Sequence, residues 1–121
     1  DVFENQFKLV SDKWKKGLDM LTDETKELKD MAYISYSLFR SSYNQIRFIR
    51  LRDAYKTEGT EEVRDEILKI IKEEKEIAKK VFEIMCLYPA VGFEAANHYY
   101  YNTIHFIKHN LLINHFTLLY N

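Results

Sequence analysis

Eleven residues, Val91-Gly92-Phe93-Glu94-Ala95-Ala96-Asn97-His98-Tyr99-Tyr100-Tyr101, hold the densest chemistry in the chain. They bring a carboxylate, an amide, an imidazole and three consecutive tyrosines together, directly after the single proline, Pro89. Glu94 and His98 are four apart, so on a helical turn they share a face. A carboxylate beside an imidazole favours the charged ring and suits acid and base work, and it serves equally as a structural hydrogen bond. Asn97 suits a turn cap or a ligand contact. On an extended backbone Tyr99, Tyr100 and Tyr101 point alternately to opposite sides, so at least one faces outward or into a cleft. Flat rings beside carboxylate, amide and guanidinium groups match sugars, which offer both apolar ring faces and hydroxyls.

A second set lies upstream. Tyr33, Tyr36, Arg40, Tyr43, Arg47 and Arg50 recur at three- and four-residue spacing, which lines aromatic and guanidinium groups along one helical face. Such a face either packs its rings while its arginines snorkel or pair with acids, or it meets a ligand or partner, contacts in which Tyr and Arg are prominent. Glu74 interrupts the apolar row Val63, Ile67, Ile70, Ile77, Val81, Ile84, and a carboxylate in such a seam requires a partner. In a regular antiparallel hairpin Glu74 falls level with Tyr43, so the expected partner is Arg40 or Arg47. His105 and His109 could chelate a metal from one helical face, but the Glu of a metalloprotease helix is missing between them and the chain has no Glu-x-x-His pair. Neither a phosphate loop, a dinucleotide fingerprint nor a nucleophile elbow occurs, and no metal or other cofactor is expected.

The elements that must position these groups read as helices. Apolar residues make up 46% and charged residues 31% of 121 positions, with three Gly, one Pro and a formal charge of −1. That balance fits one folded domain and supplies no global field for nucleic acid or an anionic membrane. No apolar run approaches a membrane span. Cys86 is the single cysteine, which excludes an internal disulfide, and its neighbours Met85 and Leu87 predict a buried thiol. Phe3, Phe7, Val10, Trp14, Leu18 and Leu21 predict a first helix. Thr22 to Thr25 offer a cap and acids for a second that runs unbroken from about Asp23 to Lys56. Along it, Leu28, Ala32, Ser35, Phe39, Ser42, Ile46 and Ile49 form one stripe, and Met31, Ile34, Leu38, Gln45 and Phe48 another, so burial from two sides is expected. Gly59 suits a left-handed end, Thr60-Glu61-Glu62 starts a third helix, and Pro89 stops it by Tyr88. Asn102 or Thr103 would cap a fourth, with Ile104, Ile107, Leu111, His115 and Leu118 on its inner face. The fold class expected is therefore all-α, an antiparallel four-helix bundle over residues 1–121 with an elaborated connection between helices three and four.

The segments Phe39-Arg40-Ser41-Ser42-Tyr43-Asn44-Gln45-Ile46-Arg47-Phe48 and Gly92-Phe93-Glu94-Ala95-Ala96-Asn97-His98-Tyr99-Tyr100-Tyr101, with Trp14-Lys15-Lys16-Gly17, together carry a family resemblance. They are similar to the helical C-terminal portion of large bacterial proteins related to glycoside hydrolases. The resemblance implies a piece of a multidomain carbohydrate-active protein whose catalytic carboxylates lie in another domain. It also implies a periplasmic or extracellular location; without it, a cytoplasmic one is expected. On that reading Arg40, Tyr43, Arg47, Glu74, Glu94, Asn97, His98, Tyr99 and Tyr100 form a surface toward an adjacent domain or the rim of an oligosaccharide cleft, and none is catalytic. The competing reading is a free-standing helical adaptor that binds a protein through the Tyr and Arg face. A third, an enzyme built on Glu94 and His98, needs both to converge in an open pocket.

Overall fold

The structure is a computed structural model and describes residues 2–92 and Leu118. Among the described residues the chain is all-helical: α1 (Val2–Asp19), a short 3-10 turn (Asp23–Thr25), α2 (Lys26–Glu58), α3 (Glu61–Leu87) and a second 3-10 turn (Pro89–Gly92). Three α-helices do not by themselves make the expected four-helix bundle. The fourth helix, and with it His105, His109 and His115, lies outside the described residues. Leu118 is helical, but it is 80% exposed rather than on an inner face. The chain divides into two compact units, Asp1–Val63 and Arg64–Asn121, and each is taken by itself.

The helix limits follow local chemistry. Gly59 ends α2 at φ 62°, in the left-handed region that side chains other than glycine rarely adopt, and its N–H donates to Tyr55 O at 2.9 Å. Leu87 is the last residue of α3, with Pro89 two positions on. The start of α2 departs from expectation. The hydroxyl of Thr25 donates to Thr22 O at 2.9 Å, so it caps no N–H, and the first turn forms as a 3-10 segment.

In the first unit α1 packs against α2, and of the predicted stripe on α1 Leu18 is buried while most of the other buried positions are not the predicted ones. On α1 they are Glu4, Ser11 and Leu18, seven apart, while Phe3, Val10 and Trp14 are 66, 39 and 40% exposed. At 100° per residue the buried line is turned about 60° from the centre of the apolar stripe. Charge explains the turn, since Glu4 and Asp12 both reach arginines of α2. On α2 the buried positions are Asp30, Ser37, Ser41, Asn44 and Leu51, a nearly polar line. Neither apolar stripe supplies it, and Leu28, Leu38 and Ile49 remain exposed.

In the second unit α3 buries Ile67, Ile71, Glu74, Ile77, Ala78, Val81 and Ile84. Ile67, Glu74, Ile77, Val81 and Ile84 are of the predicted seam, Ile71 and Ala78 broaden it, and the predicted Val63 and Ile70 are half-buried. Cys86 is exposed, which corrects the expected buried thiol. On a helix its chain neighbours Met85 and Leu87 point elsewhere, and position 86 lies about 100° around from Ile67.

Candidate functional site

The Tyr and Arg face of α2 exists, and α1 meets it. Arg47 Nη1 donates to Glu4 Oε1 at 3.3 Å, and Arg50 Nη1 donates to Glu4 Oε2. Arg40 Nη1 lies 3.6 Å from Asp12 Oδ1, and its guanidinium sits 4.7 Å from the ring centre of Tyr43. The rings of Tyr33 and Tyr36 tilt against each other at 5.6 Å. Trp14 Nε1 donates to Ala32 O at 2.7 Å, with its ring 5.9 Å from that of Phe39. Partners from early α1 meet late α2, so the two helices run antiparallel.

Helical spacing produces this set on both sides. Arg40, Arg47 and Arg50 are three and seven apart on α2, and Glu4 and Asp12 are eight apart on α1, so each helix shows its charges along one side. The Glu4 side chain is 7% exposed, while Arg47 and Arg50 are 33 and 51% exposed, so a nearly buried carboxylate is held by two guanidinium groups that keep contact with water. Each of its oxygens is taken by one arginine, which suits a fixed clamp better than proton transfer. Asp12 is shared, because Lys8 Nζ donates to it at 2.6 Å. That hydrogen bond, with the attraction of the same carboxylate, raises the Lys8 pKa above the ordinary lysine value. Near the end of α2, the hydrogen bond from Arg52 lowers the Asp53 pKa, and both residues are fully or partly in solvent.

Of the residues singled out in the sequence, Arg40, Tyr43 and Arg47 come together on α2. Glu74 is buried at 8% exposure on α3, and its expected pairing with Arg40 or Arg47 joins the two units and stays an expectation. Glu94, Asn97, His98, Tyr99 and Tyr100 lie outside the described residues, so their convergence does too. Sequence reasoning missed Glu4. The one signal for it is a carboxylate bordered by Val2, Phe3 and Phe7 on the face that continues through Ser11 to Leu18. Among the described residues no group of three or more His, Cys, Asp and Glu is placed to hold a metal ion, and no helix is long and apolar enough to cross a membrane. Comparison with protein-family models, curated proteins and solved structures finds no match.

Proposed function

We propose that the chain is a non-catalytic helical domain of a bacterial carbohydrate-active, glycosidase-like protein. In this reading it completes an antiparallel four-helix bundle, with residues 91–101 as its elaborated connection, and packs on an adjacent catalytic domain or lines the sugar cleft beside it. The observation that carries the reading is the outer side of α1, where Val2 and Leu9 are 69 and 55% exposed, with Met20 82% exposed in the turn that follows the helix. Val2 and Leu9 are seven apart, which keeps them on one side of the helix, and with Met20 they give a neighbouring domain apolar surface to cover. The closed Glu4 clamp supports the non-catalytic part, because the nearly buried carboxylate where α1 meets α2 has both oxygens engaged by arginine. An adaptor acting through the Tyr and Arg face has less support, since α1 already engages Arg40, Arg47 and Arg50.

The 121-residue chain incubated with aryl glycosides and with oligosaccharides is expected to release no product. Turnover by the chain alone would refute the non-catalytic role. In the same samples, oligosaccharide is expected to shift the amide resonances of Tyr99 and Tyr100, and an unchanged spectrum removes the cleft while leaving the domain contact.

A further inference from the structure

Trp14 is fixed at one edge and open at another. Its N–H is held by Ala32 O and its ring leans on Phe39, yet the residue is 40% exposed. The open side of the indole forms one wall of a pocket of about 430 Å³ between α1 and α2, lined by Val10, Lys13, Trp14, Gly17, Leu18 and Ala32. It is an open depression and not an enclosed cavity, so it suits one side of a slender chain. Gly17 makes the space: a Cβ built there meets no atom within 4 Å, whereas any larger side chain would project into the opening. Five of the six lining residues carry no charge, and the sixth, Lys13, has no ion pair among the described residues. The flanking Lys8 and Lys15, by contrast, are each held by an aspartate four residues on.

We propose that this pocket binds a free amphiphilic carboxylate, with an unbranched apolar chain against Trp14, Gly17 and Leu18 and its anionic head at Lys13. A sugar does not suit it, because the walls offer hardly any group to pair with hydroxyls once these are desolvated. A carboxylate with a medium-length alkyl chain leaves only the head in need of a polar partner, and Lys13 at the rim supplies it. The site is independent of the domain role proposed above, and its test leaves that role untouched.

Trp14 is the single tryptophan in the chain, so its fluorescence reads the pocket directly. Sodium decanoate below its micellar range is expected to give a saturable change at sub-millimolar concentration. Gly17→Leu fills the opening and strengthens helix propensity at that position, so it should fold with undiminished helicity while binding at least about tenfold more weakly. Lys13→Gln should weaken decanoate by about two- to fivefold, the range of an exposed ion pair, and leave binding of neutral decanol unchanged. A linear, non-saturating response in the unmodified chain, or a folded Gly17→Leu variant that binds as the unmodified chain does, would overturn the site. Equal decanoate affinity after Lys13→Gln would overturn the anionic head.

Discussion

The two longest helices bury opposite kinds of residue. α2, with 33 residues, buries Asp30, Ser37, Ser41 and Asn44 with a single apolar companion, Leu51. α3, with 27, buries Ile67, Ile71, Ile77, Ala78, Val81 and Ile84 with a single charge, Glu74. An apolar seam gains from removing surface from water and asks little about the identity of the neighbour, whereas a buried polar line must have each group met by a partner of the right geometry. The α3 seam therefore contributes bulk stability, and on α2 specificity of pairing comes from the arginine clamp beside the polar line, since Ser37 is met within its own helix.

If that division holds, the largest loss belongs to α3. Ile67 is 0% exposed, and Ile67→Ala removes packed volume that the surroundings refill only in part, for an expected loss of about 2–4 kcal/mol in urea unfolding. Ile49 of α2 is 49% exposed, and Ile49→Ala is expected to cost about 0.5 kcal/mol or less. Equal losses at the two positions would erase the contrast between the helices.

The Glu4 clamp comes next. Glu4→Gln keeps the shape but withdraws the charge that two guanidinium groups share. The arginines are partly solvated, so the expected cost is about 1–2 kcal/mol, below the figure for a fully buried pair. In a double-mutant cycle with Arg47→Gln the combined loss should be smaller than the sum of the single losses. Strict additivity would mean that the Glu4 to Arg47 contact does not couple the helices, and that α1 stays on α2 through its other contacts, Arg50 with Glu4, Arg40 with Asp12 and Trp14 with Ala32.

These same residues show why part of the molecule was legible and part was not. The α3 seam was readable because its apolar residues recur at three and four positions, and Gly59 and Pro89 mark ends through backbone chemistry that needs no partner. The row Arg40, Tyr43, Arg47 was readable as a face for the same periodic reason. What the face meets was not, since Glu4 is 43 positions from Arg47 and no local pattern joins them. Apolar periodicity also pointed to the wrong sides of α1 and α2, because ion pairing to Glu4 and Asp12 set the rotation of α1, and because Ser37, Ser41 and Asn44 carry no apolar signal. Cys86 was misjudged from its chain neighbours, which on a helix are not its spatial ones.

The smallest expected effect cuts closest to the idea of a polar line. Ser37 is 1% exposed, and its hydroxyl donates to Ile34 O at 2.6 Å, within its own helix. Such back-bonding satisfies the hydroxyl without tying α2 to anything else, and the Ile34 carbonyl has its helical position regardless. Ser37→Ala removes the hydroxyl along with its need for a partner, nearly preserves volume and adds helix propensity, so a change within about 0.5 kcal/mol of zero, of either sign, is expected in the same unfolding assay. A loss near 2 kcal/mol would mean that the Ser37 hydroxyl serves a contact beyond its own turn. The small polar residues of α2 would then act as a connected network, and burial along this helix would depend on every member being present.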